Sequence, residues 1–312
     1  MVIKKIPDIP DGIINAVNIG NLAIISGAGI SRIMGCLGWR DLSHSLLTDA
    51  FGLKDLSGNN LLDWREVKKL QLSDDNRKVI TICHDLYREN GHEALFLDKM
   101  NKALTAEEYR CALTKGENIF TELNRLRGCH ITTNGDTIFS GLGYFSTVIT
   151  GSEIMSGAIT GKALEPLSLV QLHGTMTDPD NLVFTLPKYL TLYRHPHVQD
   201  FLKMVFAKYT VLFVGYGLAE LELLQYLIPA SDEKAPPTRF LLEGYFSGEE
   251  KTADVDQRFY KVLGITLVPY ELDKVGYSQL YSVIRKWGDH VTTRSKYITA
   301  TYGIVDDFLK GL

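Results

Sequence analysis

The sequence is sparing with cysteine. It has four in 312 residues, Cys36, Cys83, Cys111 and Cys129, and no two form a C-x-x-C pair. A structural zinc site of the close-paired kind is therefore not expected, and the thiols read as scattered core or half-buried residues. No apolar run approaches the roughly 20 residues that a membrane span requires. Met1 to Pro10 carries lysines with no apolar core behind them, so no secretory leader is expected and the cytoplasm is the expected location. Positive charge is not in excess: 33 Lys and Arg stand against 37 Asp and Glu, for a formal net charge of -4. Nothing in that balance favours a protein that grips a phosphate backbone over a broad face, and direct nucleic-acid binding is not expected. Fixed-period repeats and low-complexity tracts are absent too.

What is present is a series of short, continuously apolar runs that end in glycine or polar turns. They are "NLAIISGAGIS" (21–31), "CHITTNGD" (129–136), "LSLVQLHGT" (167–175), "YTVLFVGYG" (209–217), "TRFLLEG" (238–244) and "GITLVPY" (264–270). Unbroken apolar runs suit strands covered on both faces. Six of them separated by amphipathic stretches predict an α/β fold, a Rossmann-like, mainly parallel sheet. Helices are expected over 11–20, 115–126, 198–209 and 277–291. The long gap between the first two strands carries helical patterns such as "LLDWREVKKL". It predicts a helical insertion over about 36–115, since a bare loop of that length is rare. Residues 1–291 then form one domain that includes the insertion, with 292–312 an appendage that either contacts another copy or docks loosely.

Strand ends of a parallel sheet are where ligands bind. The turn after the first run, "GAGIS", offers close backbone approach at Gly27 and Gly29, room for phosphate oxygens, and a hydroxyl at Ser31. Its spacing is not G-x-G-x-x-G, and no G-K-[ST] follows. A second glycine turn, Gly215–Tyr216–Gly217, ends another strand. The turn after the 129–132 run presents Thr133, Asn134 and Asp136 together. Asn134 is a neutral donor and acceptor, able to orient a water or a ribose hydroxyl. Asp136 accepts from an amide or hydroxyl. His173 titrates near neutrality and can move a proton. Each has a purely structural alternative: a turn pair at Asn134-Gly135, a helix cap at Asp136, a satisfied half-buried ring at His173.

Together these stretches resemble the sirtuin (Sir2-like) family. "GAGISRIMGCLGWRDL" aligns without gaps on that family's G-A-G-x-S-x-x-x-G-I-P-x-F-R signature at Gly27, Ala28, Gly29, Ser31, Gly35 and Arg40, with Trp39 in the aromatic position. "TTNGD" matches T-Q-N-x-D at Thr132, Asn134 and Asp136, and His173-Gly174 matches the catalytic histidine motif. "GYGLAE" stands where sirtuins have G-T-S and Sir2-like defence proteins often have G-Y-S-x-x-D.

The resemblance implies NAD as substrate, with Asn134, Asp136 and His173 catalytic. Asn134 would hold the nicotinamide ribose region or the attacking water, Asp136 the nicotinamide carboxamide, and His173 would act as base. Gly27, Ala28, Gly29, Ser31 and Arg40 would line the pyrophosphate and ribose, and Trp39 and Thr133 would also bind the cofactor. Gly215 and Tyr216 would lie near the adenosine half, and Glu243 would reach the adenine ribose. Deacetylases of the family carry four zinc cysteines after the catalytic histidine; here no cysteine follows Cys129, so no zinc module is expected. Leu37-Gly38 and Tyr216-Gly217 also replace the usual Pro-Asp and Thr-Ser, which puts an acetyl-lysine channel in doubt.

With the insertion placed before "TTNGD", the closest likeness is to the bacterial antiviral-defence Sir2-like proteins that lack zinc and hydrolyse NAD. The expected activity is an NAD glycohydrolase (NADase) releasing nicotinamide and ADP-ribose, depleting NAD in antiphage defence. Self-assembly into a homo-oligomer and a co-encoded ATPase or other sensor protein are the expected partners. Two rivals remain: an NAD-dependent protein-lysine deacylase, and a non-catalytic subunit that senses NAD or ADP-ribose.

Overall fold

The structure is a computed structural model that describes residues 1–105, 117–141, 145–157, 162–217, 223, 225–227 and 239–292. Seven strands form one sheet: β1 (Leu22–Ser26), β2 (Cys129–Thr132), β3 (Thr147–Thr150), β4 (Ser168–Gln171), β5 (Thr210–Val214), β6 (Arg239–Tyr245) and β7 (Thr266–Glu271). Their spatial order is β3-β4-β2-β1-β5-β6-β7, and every pair is parallel. This is the Rossmann-like α/β architecture that the apolar runs predict. The additional strand is β3. At four residues, with only Ile149 buried, it lacks the continuous apolar run by which the others are recognised.

Side-chain alternation explains why the strand interiors are apolar throughout. Ala23 and Ile25 of β1 face one core with Ile131, Val170, Phe213 and Leu241; the helix Pro196–Lys208 covers that side with Phe201, Val205 and Phe206. Leu22 and Ile24 face the opposite core with Leu212, Leu242 and Phe120. There the helices Asp11–Ile19 and Ile119–Asn124, and a helix over 279–292 that carries Trp287, close the sheet. Among the described residues no helix is long and apolar enough to cross a membrane.

Among the described residues the predicted insertion is helical, with four helices at Trp39–Gly52, Trp64–Gln71, Asn76–Glu89 and Glu93–Leu104. It has a core of its own, in which Leu46 and Leu47 meet Ile80, Cys83, Tyr87, Phe96 and Met100. Val79, Cys83 and Tyr87 recur at fourfold spacing on one face of their helix, as an amphipathic pattern requires. Asp75 caps that helix by accepting from the Lys78 N–H at 3.1 Å. Leu182 and Phe184, from the segment after His173, join the insertion core and fasten it to the sheet domain. Residues 106–116, including Cys111, and 293–312, nearly all of the expected appendage, lie outside the described residues.

Candidate functional site

In this strand order the connection from β1 leads to one side of the sheet and the chain returns through β5 on the other. The switch point therefore lies between the carboxyl ends of β1 and β5, where an open α/β sheet leaves a crevice. Both glycine turns sit there and abut. The Gly29 N–H donates to the Gly215 carbonyl at 2.8 Å, and the Gly27 N–H to the Val214 carbonyl at 3.2 Å. A Cβ on Gly29 would come within 2.8 Å of Gly215 Cα, and one on Gly215, whose φ is +57°, within 2.7 Å of the Ile30 nitrogen. The first turn thus has a structural demand for glycine beside the expected one. Gly27 is extended (φ -112°, ψ -173°) and Gly29 lies inside the short helix Ala28–Ile33. Their N–H groups are committed to the neighbouring strand, so glycine is required here for backbone-to-backbone contact.

A cavity of about 1070 Å³ runs over this seam, from Thr133 beyond β2, past Gly27–Gly29 and Gly215–Gly217, to Glu243 and Tyr270 on β6 and β7. With strands about 4.8 Å apart, that span of five neighbouring strands is roughly 19 Å, the length of an extended dinucleotide. The insertion supplies the opposite wall through Trp39, Arg40 and Asp41 at the start of one helix and Asn76 and Arg77 at the start of another. Ser43 Oγ, donating to Asn76 Oδ1 at 3.0 Å, ties those two helix starts together. Gly27, Ala28, Gly29, Trp39, Arg40, Thr133, Gly215, Tyr216 and Glu243, nine residues expected to hold a cofactor, all line this one cavity.

Ser31 does not. It belongs with Asn134 and Asp136 to a small side pocket of about 20 Å³ that shares Ala28, Trp39 and Thr133 with the large one. There the Ser31 hydroxyl donates to Asp136 Oδ2 at 2.6 Å and accepts from Asn134 Nδ2 at 2.8 Å; that amide also donates to the Gly27 carbonyl at 3.0 Å. Because a carbonyl oxygen only accepts, the Asn134 nitrogen must face Gly27, and its Oδ1 is left as the acceptor of the side chain. Asp136 Oδ1 accepts from the Ile138 N–H at 3.0 Å, the helix-capping contact of its structural alternative. Burial pushes the Asp136 carboxyl above its ordinary range, against the lowering pull of Ser31 and the Ile138 N–H. The pocket mouth is narrowed by Trp39 and Phe184, whose rings lie 4.8 Å apart.

His173 is fully buried and lines neither cavity. Its Nε2 is 3.0 Å from the Tyr193 hydroxyl, and its ring meets Tyr189 edge-on at 4.8 Å. Tyr189 lines the large cavity, so His173 stands one side chain behind the wall. Arg77 lies over the outer face of this group, 5.3 Å from the Tyr189 ring. At the far end of the cavity, burial raises the Glu243 carboxyl to about 7, and the charge of Asp256 adds to the shift.

Sequence reasoning did not find Tyr189, Tyr193, Arg77, Tyr270 or Tyr277. The two tyrosines around His173 sit on a helix, Leu186–Arg194, at an i, i+4 spacing that ordinary packing also produces. Arg77 comes from an element whose position against the sheet leaves no local signature.

Residues 128–268 match the family model of the SIR2-like domain. A Sir2-like domain is present over that part of the chain. It takes in β2 with the Thr133–Asp136 turn, His173, the Gly215 turn and Glu243, and excludes the Gly27–Arg40 segment and the insertion. Its presence ties the chain to NAD-related Sir2 biology. No curated protein matches the chain. Among the described residues, no group of three or more His, Cys, Asp or Glu side chains is placed to hold a metal ion beside the Sir2-like domain.

Proposed function

We propose that the protein is an NAD glycohydrolase that cleaves the nicotinamide–ribose bond and releases nicotinamide and ADP-ribose. The observation that carries this reading is a dinucleotide-length cavity over the switch point with a small side pocket, lined in part by Ser31, Asn134 and Asp136, at one end. A dinucleotide lying along it would place its pyrophosphate over the Gly27–Ala28 turn, facing Arg40 and the uncapped start of the Trp39–Gly52 helix, whose dipole favours an anion. The nicotinamide ring would then lie against the side pocket, whose about 20 Å³ has room for a water, and its entry requires Trp39 and Phe184 to part.

There Asp136 accepts from the carboxamide N–H, and Asn134, with both amide hydrogens committed, uses Oδ1 to orient a ribose hydroxyl or the attacking water. As the C–N bond breaks, its electron pair leaves with nicotinamide and the ribose takes on oxocarbenium character. Fixed dipoles in a site closed to bulk water stabilise that charge. Water then attacks C1′, and its proton passes to His173. Since Tyr189 stands between His173 and the cavity, this transfer requires either a turn of that ring or a relay through a tyrosine hydroxyl.

By the same reading the reaction depletes NAD in antiphage defence, within a homo-oligomer and under the control of a partner such as a co-encoded ATPase. The test is to incubate NAD with the purified chain, without acylated peptide, beside Asn134→Ala. Nicotinamide and ADP-ribose appearing only with the intact protein is the expected result. Nicotinamide release that depends on an acyl-lysine peptide would replace this reading with a deacylase; tight NAD binding with no turnover would replace it with a sensing subunit.

A further inference from the structure

One side chain, Tyr189, separates His173 from the cavity, and contacts that hold it come from the insertion. Tyr189 belongs to the helix Leu186–Arg194, whose cap residue Thr185 makes no side-chain hydrogen bond to it. The first N–H groups of a helix need partners from outside it. The Leu186 N–H finds one on the insertion, donating to Thr81 Oγ1 at 2.9 Å. The Thr81 hydroxyl gives its own hydrogen to the Arg77 carbonyl at 2.7 Å, which leaves its oxygen as the acceptor for Leu186. One turn back on the same insertion helix, the Arg77 guanidinium lies 5.3 Å from the Tyr189 ring centroid. The chain leading into the tyrosine helix is gripped as well, since Leu182 and Phe184 lie in the insertion core. On its other side, Tyr189 meets the His173 ring edge-on.

We infer that Tyr189 is a gate over His173 and that the insertion holds it shut through Thr81 and Arg77. The insertion and the sheet domain meet across the cavity, and Arg77 is at once a latch residue and part of the cavity wall. A ligand that enters between the two walls therefore reaches the latch before it reaches His173. Lifting the start of the Asn76–Glu89 helix withdraws the guanidinium from the ring and the hydroxyl from Leu186 in one movement, because both sit on one turn of that helix. Tyr193 is one turn further along the tyrosine helix, with its hydroxyl 3.0 Å from His173 Nε2, and keeps the imidazole in place while Tyr189 turns away. What the opening serves, a base uncovered only when the cavity is filled, rests on the proposed function. The latch itself does not.

The experiment follows the reaction of each histidine of the whole chain with diethyl pyrocarbonate at neutral pH, read by peptide mass spectrometry, with no dinucleotide present. His290 is exposed and reports the unprotected rate; His130, fully buried on β2, reports unfolding. In the wild-type chain His173 is expected to react at least about 100-fold more slowly than His290. Tyr189→Ala is expected to speed His173 at least about tenfold while His130 stays protected. Thr81→Val, which keeps the shape without the hydroxyl, and Arg77→Met are each expected to speed it about threefold or more, and Arg77→Lys, which keeps the cation, less than Arg77→Met. Reaction of wild-type His173 at the rate of His290, which needs no variant to establish, overturns the inference. So does a rate that Tyr189→Ala leaves unchanged, or one that rises only together with His130. A rise with Tyr189→Ala but with neither insertion variant overturns the hold of the insertion. NAD cleavage by a chain that fails these tests would leave the proposed function standing without the gate, and a latch that passes them in a chain that leaves NAD intact would do the reverse.

Discussion

Asp136 and Glu243 are carboxylic acids at strand ends of one sheet, both raised by burial, yet they are built differently. Asp136 is held on both oxygens: Ser31 donates to one and the Ile138 N–H to the other, and the Asn134 amide locks the Ser31 hydroxyl in place. Glu243 has a backbone partner at Gly244, and among the described residues no side chain donates to it. A carboxyl fixed by its own neighbours suits a step in which charge develops and the surroundings must already be oriented. One that no neighbouring side chain holds suits the recognition of a ligand that brings its own hydroxyls. Under the proposed function, the difference separates the end of the cavity where the bond would break from the end that would hold the rest of the dinucleotide.

The comparison is sharpened or broken most strongly at the Asp136 end. Asn134→Ala removes the donor that holds Ser31, and nicotinamide release is expected to fall by about 100- to 1000-fold while the dissociation constant of NAD changes much less. Single-turnover assays beside calorimetry separate the two. A parallel loss of binding would make this end a recognition site like the other.

Next in size is the seam between the two ends. Gly29→Ala forces a methyl against the Gly215 backbone and is expected to cost about 3 kcal/mol of stability. Gly217→Ala, where a Cβ meets nothing within 4 Å, is expected to stay within about 0.5 kcal/mol. Denaturant melts of the two variants measure the contrast, and equal losses would show that the two turns do not depend on this contact.

The smallest effect is at the open end. Folding raises Glu243 from 4.5 to about 7, so the native state holds more protons than the unfolded chain in that window. The contribution to stability is full below pH 4.5 and lost as pH rises through 7, on the order of 1 kcal/mol after screening. Melts across pH 4.5 to 8 should show this slope, and Glu243→Gln should flatten it. A slope untouched by the substitution would assign the titration to another group.

The sequence makes legible those parts of the molecule whose signal is local. Both-faced burial writes itself as continuous apolar runs, so the central strands could be read directly, whereas half-exposed β3 could not. The Asn134 and Asp136 turn is a local feature and so was found. What the runs do not encode is which strand lies beside which. Gly29 is also required by its contact with Gly215, and the partners of the Ser31 hydroxyl are Asn134 and Asp136; both facts depend on tertiary neighbours far away in sequence. For the same reason His173, identified as a proton acceptor, could not be seen to stand behind Tyr189. That ring arrives on a helix whose packing is set by the whole layer.

The central position of β1 has a consequence for how the protein comes into being. Its register partners are Cys129–Thr132 on one side and Thr210–Val214 on the other. On the ribosome, the first strand to emerge therefore waits for one neighbour across the entire insertion and for the second until β5 has been made. The glycine seam cannot close before then, and Glu243 emerges later still. A nascent chain thus has no floor on which to hold a dinucleotide, and under the proposed function the order of synthesis itself would keep the activity silent until the sheet is nearly complete.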